Sequence, residues 1–413
     1  MSNPAETLIA SETQLTAHRS FVMFWCARVF SVAAYMALTV GIGWQIYDLT
    51  GNAFDLGLVG LAQFLPFVLL PLLIGQVADR FDRPTVLRIC QTIHACAALA
   101  LAFGTFSGWL SREAILAILF VGGTCRAFEV PTMHTLVPGL VPKALLPRAV
   151  AAATAANQSA VICGPALGGL IYSSFGPTSV YLTCTTLFLI ASVLIGLVKL
   201  QGQVQERRPV TMASLFAGFA FIRSQPVVLG AISLDLFAML LGSVTALLPI
   251  FAKDILQTGP WGLGLLRSAP AIGALSVAIL LSRYSMDRKV GPILFITTVV
   301  FSLSILVFAL STSIALSIAA LAIYGASDSV SVVIRHSLVQ IRTPSEMLGR
   351  VMAINSMCTG TSSTLGEFRA GAIAAAVGAV GSVLIGGVGA LAVALLWMKL
   401  FPDLVKVDAM AQH

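Results

Sequence analysis

The chain has 413 residues, 58% of them hydrophobic and only 10% charged, with a mean hydropathy of +0.95. A soluble protein carries about 25% charged residues, so a water-soluble globular chain, and with it any sizeable soluble domain, is excluded. The formal charge of +7 is dispersed among short polar stretches instead of gathered in a patch, which argues against a nucleic-acid partner and makes the basic residues reporters of topology.

Residues 1–19 are polar and carry Glu6 and Glu12, and the apolar segment after them is too long for the h-region of a signal peptide, so the first span is expected to stay in the mature protein. Apolar runs then recur at 20–47, 55–78, 85–107, 113–138, 149–172 and 178–198 (spans 1 to 6). A second set lies at 226–251, 260–282, 290–310, 313–338, 349–375 and 378–400 (spans 7 to 12). Such runs are long enough to cross about 30 Å of hydrocarbon as helices. The longest polar interruption, Gln201 to Val210, precedes a short amphipathic helix predicted at Met212 to Arg223. The expected fold is therefore an all-α membrane protein of twelve transmembrane helices in two pseudo-symmetric six-helix bundles: residues 1–200, a cytoplasmic linker at 201–225, and residues 226–413.

An internal repeat supports the division. Gly123, His134 to Val137, Pro142, Arg148, Gly164 and Gly169 match Gly325, His336 to Val339, Pro344, Arg350, Gly366 and Gly371 at an offset of 202, and Gly60 and Pro66 pair with Gly264 and Pro270. Two similar halves are how many secondary transporters place a site at the midplane between them. With both termini cytoplasmic, the inner stretches hold most of the basic residues, among them Arg80, Arg83, Arg88, Arg207, Arg208 and Arg288, while the opposite side holds Arg112 and Lys253. That bias sets the orientation.

The seven cysteines lie in or beside apolar segments with no C-x-x-C and no histidine at metal-ligand spacing, so they read as packing residues and no metal or cofactor is expected. No phosphate loop, H-E-x-x-H or G-x-S-x-G occurs, which leaves enzyme activity and ATP-driven transport without support.

Ionisable residues inside the spans point to a site, because each costs about 2.5 to 3.5 kcal/mol at a helix centre unless it faces protein or water. They are Arg28, Arg126, Glu129, Asp235, Arg267, Asp328, Arg335, Glu367 and Arg369. Arg126 and Glu129, three apart on span 4, share a helix face. The repeat sets Arg126 against Asp328, and Arg28 lies at a depth similar to Asp235, so pairs across a central cavity are conceivable. Proton coupling needs a carboxylate that takes up a proton when desolvated and yields it beside a guanidinium. Glu129 and Asp328 fit best, then Asp235. Glu367 is ambiguous, since its repeat partner is Pro165. His134 and His336, at matching positions, are expected to anchor helix ends.

After span 2 the chain reads Gly75 to Pro84, GQVADRFDRP. A carboxylate at a helix end followed by a tight arginine-bearing loop can bond a neighbouring helix in one conformation and release it in another. Gly75, Asp79, Arg80 and Arg83 form such a candidate latch. The run resembles the signature loop of the major facilitator superfamily, with Asp82 in place of the usual glycine and Pro84 in place of a basic residue. Span 5 contains Gly164, Pro165, Gly168 and Gly169, which allow close helix packing and a bend and which are similar to the antiporter motif of its drug-exporting members.

The stretches Trp44 to Gly51, Gly57 to Pro66, Gly349 to Asn355 and Leu365 to Gly371 are similar to the enterobactin-exporter-like branch of that superfamily. The resemblance implies a proton-driven exporter of siderophores or other amphipathic molecules, working as a monomer in the bacterial inner membrane, with a small-molecule substrate, protons and membrane lipid as its partners. The residues themselves leave open an importer or facilitator of the same fold.

Overall fold

The computed structural model describes residues 15–70, 81–199, 212–283 and 289–408, apart from the side chains of His134, Thr135, Lys143 and 212–216. Among the described residues no strand occurs, as hydrocarbon requires of segments that must satisfy their own backbone. The chain clusters into two compact units, residues 1–45 with 62–208 and residues 46–61 with 209–413.

Most of the first unit is built from α1 (Arg19–Thr50), the end of α2 (Ala53–Leu69), α3 (Arg83–Ser107), α4 (Arg112–Leu136), α5 (Leu146–Phe175) and α6 (Pro177–Gly196). The boundaries have local causes. Asp82 occupies the N-cap of α3 with extended backbone and Pro84 sits in its first turn, where a missing N–H costs nothing. The two residues that depart from the signature loop thus begin a helix. Ser111 caps α4 by accepting from the Ala114 N–H at 3.2 Å. Between α5 and α6 stands Gly176 at φ +80°, followed at once by Pro177, a stop and a start in two residues. α3 packs on α4 and α6.

The second unit contains the last turn of α1 and the first half of α2, which the sequence reading placed with the first bundle. It adds α7 (Met212–Ser224), α8 (Pro226–Gly242), α9 (Gly259–Arg283), α10 (Val290–Leu310), α11 (Ile314–Arg342), α12 (Ser345–Leu400) and the short α13 (Pro402–Val405). Span 7, expected unbroken to residue 251, ends at Gly242. Ser243 is extended, and the chain resumes as a 3-10 turn at Thr245–Leu247 and a π turn at Phe251–Ile255. Spans 11 and 12 form one stretch folded at Gly378, whose φ of +80° and ψ of 164° are open to glycine and strained for other residues. The Ser382 hydroxyl donates to Ala370 C=O at 2.7 Å. Those residues would stand about 18 Å apart along a straight helix, so the chain has reversed.

The internal repeat is visible in packing within each unit. A Cβ on Gly123 would lie 2.3 Å from Gln63 O of α2, and one on Gly325 would lie 2.0 Å from Pro270 O of α9. Likewise Gly164 of α5 meets Ala33 and Met36 of α1, while Gly366 of α12 meets Met239 and Leu240 of α8. Equivalent glycines let equivalent helix pairs approach closely. Large apolar side chains such as Phe103, Phe106, Leu189, Val193, Ile296 and Leu303 stand on the outside, a surface fit for lipid tails and not for water. Nine helices among the described residues are long and apolar enough to cross a membrane, and α2 is a shorter apolar helix of 17 residues.

Candidate functional site

In the first unit α1, α3 and α4 converge on Glu129, which is 3% exposed. Its Oε1 accepts from the Ser31 hydroxyl at 3.1 Å and the Gln91 amide at 3.0 Å, and Gln91 also donates to Ser31 at 2.8 Å. Oε2 faces His94 Nε2 at 3.4 Å. Ser31, Gln91 and His94 are all buried. Arg126 turns its guanidinium onto the Tyr35 ring, 4.2 Å from the centroid, a cation–π contact, and Tyr35 donates to Gln63 at 2.7 Å. Arg28 and Arg126 both lie within electrostatic range of Glu129. The three residues picked from the sequence here do come together, but Arg126 reaches an aromatic face and the carboxylate is held by neutral donors.

The second unit gathers its charges differently. Asp235 on α8 pairs with Arg335 on α11 at 2.8 Å, and Asp328, two turns earlier on the same face of α11, stands 3.6 Å from the same guanidinium. Thr359 on α12 donates to the other Asp235 oxygen at 2.8 Å. Asp235 and Arg335 are buried, whereas the Asp328 side chain keeps 28% of its surface. It borders a small cavity lined also by Ala238, Met239, Thr298, Ser331 and Arg335. The partner of Asp235 is thus Arg335 of its own unit, where counting charges by depth had suggested Arg28. A buried pair of this kind is costly to break, because removing one member strands the other.

Glu367 and Arg369 lie on α12 with other neighbours. Glu367 packs where Gly60 of α2 leaves room, 3.0 Å from the position of an added Cβ, with Arg267 in electrostatic range. Arg369 donates to Leu241 C=O at 2.7 Å, satisfying one of the carbonyls freed where α8 stops. Nearby, the last turn of α1 is tied to the π turn: Tyr47 donates to Asp254, Lys253 pairs with Asp48, and Lys253 lies over the Tyr47 ring at 5.6 Å. His336 meets Asn355 of α12 at 3.4 Å.

Gly75, Asp79 and Arg80 of the candidate latch lie outside the described residues, and Arg83 is the first residue of α3. Gly164, Pro165, Gly168 and Gly169 are all buried in α5, with Gly168 against Ala37 of α1. Sequence reasoning missed Ser31, Gln91, His94 and Thr359. The available signal was Gln91 and His94, two polar residues three apart on one face of an otherwise apolar span.

Comparison with known proteins places this architecture. The family model described as transmembrane secretion effector matches residues 12–413. The chain is 27% identical over 399 residues to the enterobactin exporter EntS of Citrobacter koseri, and 26% identical over 396 residues to that of Escherichia coli, with 94% of each chain covered in both cases. Among solved structures, a mutant form of the nucleoside transporter NupG superposes with a TM-score of 0.75 at 16% identity, over 92% of this chain and 100% of that one, a likeness of fold alone. The chain is a multi-pass membrane transporter of small molecules, and it belongs to the transmembrane secretion effector family of the major facilitator superfamily.

Proposed function

We propose that the chain is a proton-coupled exporter of an amphipathic small molecule, of siderophore or drug-like type, working by alternating access between two six-helix bundles in the bacterial inner membrane. The observation that carries the reading is a carboxylate constellation within the spans of each unit, buried Glu129 in one and buried Asp235 with partly exposed Asp328 in the other. Groups so expensive at membrane depth are kept where ions or substrates are handled. Twelve passes follow if α2, α5 and the two arms of α12 each cross, which returns both termini to the cytoplasmic side that the arginine-rich stretches favour. Likeness to enterobactin exporters and the buried glycines of α5 favour outward transport.

Glu129 and Asp328 are the coupling carboxylates in this reading, and Asp79 with Arg83 forms the conformational latch. The test is uptake into inverted membrane vesicles with an acidic lumen, using catecholate siderophores, macrolides and lipophilic cations, with and without collapse of the gradient. Gradient-dependent accumulation of one class is expected. Flux indifferent to the gradient would transfer the protein to the facilitators, and loss of vesicular substrate along with protons to the importers.

A further inference from the structure

We propose that His94 and Glu129 share one proton, and that this pair, not the carboxylate alone, is the proton-carrying site of the first unit. The inference rests on the proton-coupled reading above. Four features of the geometry support it. The two side chains are 2% and 4% exposed and face each other at 3.4 Å, so water does not come between them. Oε1 of Glu129 is taken by two donors, Ser31 and Gln91, which leaves Oε2 for the imidazole. His94 Nε2 is buried without a hydrogen bond of full geometry, and a buried polar atom in that state calls for a reason. Finally the ring is oriented, stacked on Phe188 of α6 at 5.1 Å and met edge-on by Tyr35 of α1 at 6.4 Å.

The other titratable or charged groups facing the pair are Arg28 and Tyr35 on α1, Cys90 on α3, and Cys125 and Arg126 on α4; α6 contributes the neutral Phe188 ring. Arg28 and Arg126 are the cations within electrostatic range of Glu129. The proton has two facing atoms on which to sit, Nε2 and Oε2. In one arrangement Nε2–H donates to the Oε2 carboxylate. In the other Oε2–H donates to bare Nε2, one O–H formed for one N–H broken with total charge unchanged. Loss of the proton from either arrangement leaves neutral His94 beside ionised Glu129. A carboxylate alone offers one arrangement, whereas the pair lets a small movement of α3 against α4 decide which atom holds the proton.

The experiment is a pH titration of the full-length protein in membranes with no ligand added. Infrared difference spectra against Glu129→Gln isolate the Glu129 carboxyl band, and the same band is followed in His94→Gln. Reciprocally, isotope-labelled histidine reports the His94 ring in wild type and in Glu129→Gln, so the test survives if one variant fails to fold. A displacement of about one pH unit or more in the titration of either group on removal of the other is expected of sites that share a proton. Unchanged titration of both would overturn the proposal while leaving gradient-driven transport untouched. Conversely, gradient-independent vesicle uptake of the lipophilic cation tetraphenylphosphonium by wild type, together with a displaced titration, would remove the coupling reading and keep the shared proton.

Discussion

In the first unit Glu129 accepts from neutral hydrogen-bond donors of α1 and α3, while the Arg126 guanidinium is turned onto an aromatic ring; in the second, Asp235 faces the Arg335 guanidinium directly and Asp328 waits at its edge. The repeat makes the contrast sharper. At its offset of 202, Arg126 corresponds to Asp328, Glu129 to Ser331 and Met133 to Arg335. The glycines at helix crossings keep their role in both halves, since backbone contact leaves no room for a side chain. The charged positions do not, because a buried charge needs a partner but the partner can come from any neighbouring helix. Duplicated scaffold and divergent chemistry are therefore separable within one chain.

That separation can be attacked in order of expected effect. Glu129→Gln and Asp328→Asn should each abolish gradient-driven accumulation while the protein still purifies folded; full activity in both would end the coupling assignment. Arg335→Gln strands two carboxylates and should cost about 3–5 kcal/mol, read as the largest fall in thermal midpoint of the detergent-solubilised protein. Melting like wild type would mean that the triad does not hold the second unit. Gly123→Ala and Gly325→Ala should each lose about 1–3 kcal/mol by overpacking, and the scaffold comparison predicts similar losses, so a cost confined to one half would count against it. Ser31→Ala, which removes a donor to Glu129 and an acceptor for Gln91, should cost about 1 kcal/mol. Ser331→Ala should be close to neutral, because its buried hydroxyl has no partner to lose.

Helix positions were legible to within a few residues wherever the signal was hydrophobic length closed by glycine, proline or a cap, as at Gly176 and Gly378. The break after α8 was not. Val244, Ala246 and Leu247 prolong the apolar run across it, and hydropathy does not register a change of dihedral angle. The charged residues of the candidate site were legible as charges within apolar spans because their cost at membrane depth singles them out, hence Arg28, Arg126, Glu129, Asp235 and Asp328. Their companions were not, for two physical reasons. Ser31, Gln91 and His94 are uncharged or neutral enough to pass as tolerated polar residues, and they become a site only when α1, α3 and α4 bring them to one carboxylate. Arg335 was visible as a cation, but its pairing with Asp235, 100 residues earlier in the sequence, is a product of tertiary packing.

The reversal at Gly378 bears on how the chain is made. Its two arms meet through Ser382 and Ala370 with one residue at the bend, so no polar loop has to be carried across the bilayer on its own. Joined through a single residue, the arms amount to one helical hairpin, and a side chain at position 378 is expected to lower the yield of folded protein in the membrane.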